Sequence, residues 1–186
     1  GNRILSTRTN LSVTPIQRSV LLGKYLGDGS LREVGLTAEL HWSHKESDSS
    51  YADWTARALG NLARSSRSTA VSGYGTKMVR RSTVTSCFIK EALSGFTRNN
   101  GLKDVPKWVA GAIDPIALAF WYMDDGSLST HAKQEDRALL AVCDFSNDGC
   151  AILQDGLERL NLRSILYNSN GYNRLRLNSE DSERLF

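Results

Sequence analysis

Leu21-Leu22-Gly23-Lys24-Tyr25-Leu26-Gly27-Asp28-Gly29 and Leu118-Ala119-Phe120-Trp121-Tyr122-Met123-Asp124-Asp125-Gly126 are the two stretches that decide how this chain folds. Each is an apolar helical run that stops on an aspartate followed by a glycine, the residue that takes the left-handed turn ending many helices. Their starts match as well. Thr14-Pro15-Ile16-Gln17 offers a cap, a proline at the first helical position and a glutamine able to close a capping box; Asp114-Pro115-Ile116 repeats the cap and the proline. Both runs continue as Asp-Gly-Ser-Leu, at Asp28 to Leu31 and Asp125 to Leu128, with the aspartates 97 positions apart.

The agreement extends downstream. After Asp28, Leu36, Ala38, Leu40 and Trp42 alternate as one face of a strand; after Asp125, Ala138 to Val142 is a short apolar strand. A helix follows in each half, Tyr51 to Ala63 and Gly149 to Leu160. A hairpin turn follows that, at Gly73-Tyr74-Gly75 and at Asn170-Gly171, 47 and 46 positions beyond the respective aspartates. The same order at the same spacing reads as an internal duplication. Each half is helix, two strands, helix, two strands, helix, so the fold class is α+β with two pseudo-symmetric αββαββα halves. The halves run from 14 to 105 and from 106 to 186, with the join near Gly101 to Gly111. Lys133 to Arg137 is expected as a solvated turn between strands. Ser179 is expected to cap a last helix, and the second copy stops before any counterpart of Lys103.

Composition narrows the function classes. The 186 residues are 40% hydrophobic and 23% charged, an ordinary globular balance, with 23 basic against 20 acidic residues and a net charge of +3. Arginine outnumbers lysine, and its planar fork suits phosphates and guanine edges. No apolar run approaches the roughly 20 residues that span a bilayer, so no membrane partner is expected. The first residues, Gly1 to Ser6, show no signal-peptide core. Cys87, Cys143 and Cys150 form no C-x-x-C pair and read as reduced, buried thiols. His41 and His44 have no cysteine or third ligand nearby in sequence, so they are not read as a metal site.

Both nine-residue stretches resemble the motif of the LAGLIDADG homing endonucleases, in the subgroup that carries two motifs on one chain. Lys103-Asp104-Val105-Pro106 is similar to that subgroup's Lys-x-x-Pro segment, and the resemblance runs from about Thr14 to Phe186. It implies motif helices packed side by side on a pseudo-twofold axis, with two curved antiparallel sheets forming a saddle over duplex DNA. It also implies cleavage of both strands of a long target with a divalent cation. Asp28 and Asp125 are then the metal-binding and catalytic acids, the backbone carbonyls of Gly27 and Asp124 complete the ligand set, and Lys103 assists at the scissile phosphate. Mg²⁺ fits such oxygen ligands while retaining waters.

The residues support that reading independently. Gly23 and Gly27 lie one helical turn apart and form a small-residue ridge for close helix approach, whereas Phe120 replaces the first of them in the second copy. Aspartates at two helix C-termini face the negative end of each macrodipole and one another, and a bound cation would resolve both repulsions. Tyr172, Arg174 and Arg176 alternate with leucines on the last strand, and Lys77, Arg80 and Arg81 lie on its first-half counterpart, where they would read base edges. Arg64, Arg67 and Arg163, near helix-to-strand junctions, are expected at phosphates.

Three functions compete at this stage: a site-specific double-stranded DNA endonuclease of intron or intein homing, an intron maturase or organellar splicing factor that binds structured RNA, and a catalytically silent DNA-binding regulator. Retention of both acids favours the endonuclease. With both motif helices on one chain a monomer is expected. The family occurs in organelles (mitochondrion or chloroplast), bacteria, archaea and phages, and the sequence does not choose among them.

Overall fold

The computed structural model describes residues 13–131 and 134–186. The first half runs α1 (Pro15–Leu26), β1 (Ser30–Val34), β2 (Thr37–Lys45), α2 (Ser49–Leu59), β3 (Ser68–Val71), β4 (Lys77–Ser82) and α3 (Cys87–Ala92). A short bridge follows: β5 (Thr97–Asn99), β6 (Leu102–Asp104) and α4 (Val109–Ala112). The second half repeats the plan as α5 (Pro115–Asp125), β7 (Gly126–His131), β8 (Gln134–Ala141), α6 (Asn147–Arg159), β9 (Ser164–Ser169), β10 (Tyr172–Leu177) and α7 (Ser179–Leu185). Each half therefore has the αββαββα order expected from the duplication.

The two four-stranded sheets share one topology, β1-β2-β4-β3 and β7-β8-β10-β9, with every neighbouring pair antiparallel. The matched helix starts behave as their sequences require. Thr14 accepts from the Gln17 amide and Gln17 returns a bond to the Thr14 amide; Asp114 accepts from the Ala117 amide.

The motif helices α1 and α5 cross at backbone contact. A Cβ placed on Gly23 would lie 2.3 Å from the Ala117 carbonyl oxygen, and one on Gly27 would lie 2.5 Å from the Asp124 Cβ. No larger residue fits either position without moving a helix. The approach lets each helix feed the other half's core. Phe120 of α5 packs with Val20, Leu21, Tyr25, Leu40 and Trp42, while Leu22 and Leu26 of α1 pack with Leu118, Trp121, Leu140 and Leu153. Burying each such side chain contributes about 1.5–3 kcal/mol, so the shared seam ties the halves together.

Several boundaries differ from the sequence reading. Helix α2 stops at Leu59 and a single 3₁₀ turn, Gly60–Leu62, replaces its expected last residues. Helix α6 begins earlier, at Asn147, because Ser146 supplies the cap. Strand β8 already starts at Gln134, so residues 134–137 are strand rather than turn, and Lys133 lies outside the described residues, as does the segment Gly1 to Ser6. Leu36 is 87% exposed beside Gly35 in the β1–β2 turn, so the alternating face begins at Ala38. The cap of α7 is Asn178, whose carboxamide accepts from the Asp181 amide; Ser179 is the first helical residue. The stretch around Gly101 is a hairpin rather than a plain join. Asn100 (φ 51°) and Gly101 (φ 85°) turn the chain between β5 and β6 with the geometry of Asn170 and Gly171.

Candidate metal centre and nucleic-acid interface

The ends of α1 and α5 bring three carboxylates together at the seam between the sheets. Asp28 follows the last turn of α1 with its side chain 45% exposed, and its backbone N–H donates to Asp124 Oδ2 at 3.1 Å. Asp125 closes α5. Burial, then repulsion from Asp124, pushes the Asp28 carboxyl above its ordinary range. Burial, then the charges of Asp28 and Asp124, push Asp125 up to about 7. At Asp28 and Asp125, burial and mutual repulsion therefore outweigh the nearby lysine charge. Hard oxygen donors with a deficit of positive charge are what a divalent cation satisfies, so the donor set fits one held by Asp28 and Asp125.

Lys103 is 3% exposed on β6. Its strand is fixed to the second half by Lys103 N–H donating to the Asp144 carbonyl at 2.6 Å and Ser146 N–H donating to the Lys103 carbonyl at 3.0 Å. The ammonium donates to the Tyr25 carbonyl at 2.9 Å and lies 4.8 and 5.3 Å from the ring centroids of Tyr25 and Phe145. It thus sits at the negative end of α1. Its charge opposes the raised pKa of both Asp28 and Asp125, while burial lowers its own. Lysine and acids share one electrostatic site.

A second cluster beneath Asp28 was not foreseen. Lys24, in the last turn of α1, is fully buried and its ammonium lies 2.7 Å from Asp124 Oδ1 and 3.0 Å from His44 Nε2. Tyr51 donates to the same Asp124 oxygen at 3.0 Å, and His44 Nδ1 lies 3.7 Å from Asp28 Oδ2. Burial lowers the pKa of Lys24 and of His44, and raises that of Tyr51. Asp28, His44 and Asp124 offer ligand atoms within 4.8 Å of one another, so the third ligand that His44 lacks in sequence is supplied by tertiary structure. Lys24 already stands between His44 and Asp124 as a built-in cation. The sequence signal was a single lysine inside the otherwise uncharged run from Val20 to Gly27.

Pleating sorts the expected nucleic-acid residues. On β4, Val79 and Arg81 face the helices, opposite His44 and Trp42, whereas Arg80 pairs with Ser43 on the open face. Arg81 is 13% exposed and bonds Asp53 of α2 at 2.6 Å, so it is a structural strut of the helix layer, unlike the reading-face residue expected. Lys77 is exposed, 4.0 Å from Glu46. Arg67 reaches Asp53 at 3.4 Å, and Arg64 bonds Glu39 at 2.9 Å. On β10, Leu175 and Leu177 are buried and Tyr172, Arg174 and Arg176 share the opposite face, as the alternation requires. Arg163 lies beside them at the start of β9, 3.6 Å from Asp181. Arg32 and His41 were missed. With Arg80 and Ser43 they line a groove of about 400 Å³ that runs along the first sheet to Asp28.

The profile of the LAGLIDADG DNA endonuclease family matches residues 18–185. Among curated proteins, the chain is 31% identical over 137 residues to Protein RecA of Mycobacterium gastri, covering 72% of this chain and 31% of that one. It therefore spans about a third of the RecA relatives it matches. It is 28% identical over 166 residues to DNA endonuclease I-ChuI of Chlamydomonas applanata, covering 81% of this chain and 75% of that one. Among solved structures, the homing endonuclease I-WcaI bound to its DNA recognition sequence superposes with a TM-score of 0.76 at 20% identity, covering 94% of this chain and 80% of that one. I-DmoI in complex with DNA and Ca superposes with a TM-score of 0.55 at 12% identity, covering 93% and 88%.

Proposed function

This chain belongs to the LAGLIDADG DNA endonuclease family, and from that membership we propose that it is a monomeric, site-specific endonuclease that cuts both strands of a long duplex target in the presence of Mg²⁺. The observation that carries the reading is the meeting of Asp28 and Asp125 at the ends of crossing helices, between two sheets whose open faces carry arginine. A scaffold needs neither acid there: each raises the cost of the seam, Asp125 most plainly. The two lobes, 14–105 and 106–186, would each address one half of the target.

Asp28 and Asp125, with the carbonyls of Gly27 and Asp124, would hold the cation. When bound, it activates water and stabilises the charge that builds on the phosphate oxygens. The chain's own residues do the rest. Lys103, anchored to the Tyr25 carbonyl, places a positive charge beside the acids and the attacked phosphate. Lys24 and Tyr51 hold the Asp124 carboxylate, which in turn fixes the Asp28 amide and so the position of the Asp28 side chain. Arg32, His41 and Arg80 on one sheet, and Tyr172 and Arg174 on the other, supply donors to base edges, while Arg64, Arg67, Arg163 and Arg176 meet phosphates.

The test is incubation with a randomised duplex library in Mg²⁺, followed by sequencing of the cut ends. One recurrent long site cut on both strands is expected, and Asp28→Asn and Asp125→Asn should each abolish cutting but retain binding. Tight duplex binding without cutting by the unaltered protein would overturn the endonuclease reading in favour of a silent DNA- or RNA-binding relative.

A further inference from the structure

The second sheet ends in a cavity of about 140 Å³ lined by Arg137, Arg163, Ser164, Arg176 and Asn178, among others. Among the described residues, three buried side-chain polar atoms lack a hydrogen-bond partner: Trp121 Nε1, Arg137 Nε and Ser164 Oγ. Two of the three belong to this one cavity. A buried donor left unmade pays its full desolvation cost, so two in one place call for an acceptor the chain does not provide.

The pseudo-symmetry shows what kind of acceptor. Ser30 pairs with His41 in the first sheet, and Ser127, equally placed after its aspartate, pairs with Leu139 in the second. Counting back two residues along each strand, Arg137 is therefore the counterpart of Glu39. The same registers equate Ser82, opposite His41, with Arg176, opposite Leu139; Arg64 and Arg163 both lie in the segment that leads into the outer strand of their sheet. In the first half the Glu39 carboxylate fills this position. It accepts from Thr85 at 2.8 Å, Arg64 at 2.9 Å and His41 at 2.9 Å, with Arg32 at 3.4 Å. The Thr85 hydroxyl, then His41 and Arg64, hold its pKa down to about 2 in spite of burial. In the second half the acid is replaced by Arg137, Arg32 opposite it by Ser129, and Ser82 by Arg176, so the position gains arginine and loses its carboxylate.

We infer that the Arg137–Arg163–Arg176 cavity is an oxyanion site for a backbone phosphate of bound duplex DNA, the external ligand taking the place that Glu39 fills in the first half. The inference rests on the nucleic-acid reading given above and adds a specific anchor to it. Nearby acids do not fill the slot. Asp181, 3.6 Å from Arg163 Nε, is already occupied by the Arg163 amide, Asn178 and Arg184, and Glu180 is 4.0 Å from Arg163 and largely exposed. Arg176 is held in place by the Tyr167 ring, 5.1 Å from its guanidinium carbon. Three guanidiniums and a hydroxyl converging on one small cavity match a phosphodiester's charge and its spread of acceptor oxygens.

The experiment uses the full chain and a labelled duplex of arbitrary sequence in EDTA, with affinity measured by anisotropy across a range of NaCl. Each lost phosphate contact reduces the slope of log K against log salt by about 0.9. Arg137→Gln should lower the slope by about that amount and weaken binding several-fold, alike for unrelated duplexes. Arg137→Glu sets a carboxylate beside Arg163 and Arg176, as Glu39 stands beside Arg64 and Arg32 in the first half, so it should keep or raise the melting temperature while losing the same contact. Arg159→Gln, on an exposed position of α6, should leave the slope unchanged. A parallel titration with inorganic phosphate should shift the Arg137 Nε–H resonance. Normal duplex binding with an unchanged slope in both Arg137 variants would overturn the inference and leave the proposed function standing. Failure of the unaltered protein to bind any duplex would overturn the proposed function and this anchor together, and a phosphate-induced shift would then make the cavity a free-anion site.

Discussion

Substituting Asp125 by asparagine should stabilise the metal-free protein while destroying its activity. The carboxyl is pushed from 3.8 to about 7 by burial and by the charges of Asp28 and Asp124. A folded pKa above the unfolded one means that the folded state binds the proton more tightly. That contribution is complete below pH 3.8 and is lost as pH rises through about 7. At pH 8 the ionised Asp125 is thus a liability of about 4 kcal/mol at 1.36 kcal/mol per pH unit, or about 2–4 kcal/mol after solvent screening of a half-buried group. Asparagine keeps the shape and removes the charge. For a chain of this length, that corresponds to a melting temperature raised by roughly 5–15 °C at pH 8 in EDTA. At pH 5.5 the native carboxyl is mostly protonated while the unfolded one is still ionised, so the gain should fall to about half its pH 8 value, and it should vanish only below pH 3.8. Thermal denaturation of both proteins at the two pH values measures it directly. Equal melting temperatures at pH 8, or a gain that does not depend on pH, would refute the reasoning that these acids are mutually destabilising without a cation.

Other expectations follow from the same geometry. Gly23→Ala should cost about 3 kcal/mol or more, seen as an earlier denaturant midpoint, because the added Cβ meets the Ala117 backbone at 2.3 Å. Lys24→Met should destabilise by about 3–5 kcal/mol by stranding the buried Asp124 carboxylate, and adding Asp124→Asn should recover much of the loss in the same unfolding assay. Lys103→Met should reduce cleavage of the selected target by 10²-fold or more with little change in its binding constant, measured by single-turnover kinetics beside anisotropy. Divalent-cation affinity, followed by calorimetry, should fall as pH drops below about 7, because protons compete for Asp125.

The duplication was legible because its signals are local and occur twice: proline-led helix starts, apolar runs and Asp-Gly stops. The Leu/Arg alternation of β10 was equally readable, since period two is a property of the strand itself. What escaped depends on partners distant in sequence. Arg81 faces inward because Asp53, 28 positions away, waits on α2. Lys24 survives burial only because Asp124, 100 positions away, crosses from the other helix. Arg32 gave no sign of lining the groove to Asp28 until β1 was laid against β2. The β5–β6 hairpin carries the same Asn-Gly signal as Asn170-Gly171, but its strands are three residues long, too short for alternation to register.

The central claim is that Asp28 and Asp125 jointly hold a divalent cation at the DNA. The most direct measurement is the anomalous scattering of Mn²⁺ in crystals of the protein with its selected duplex. A manganese peak bridged by the two carboxylates and a scissile phosphate is predicted. A peak on His44 and Asp124 instead, or none within reach of Asp125, would contradict the account.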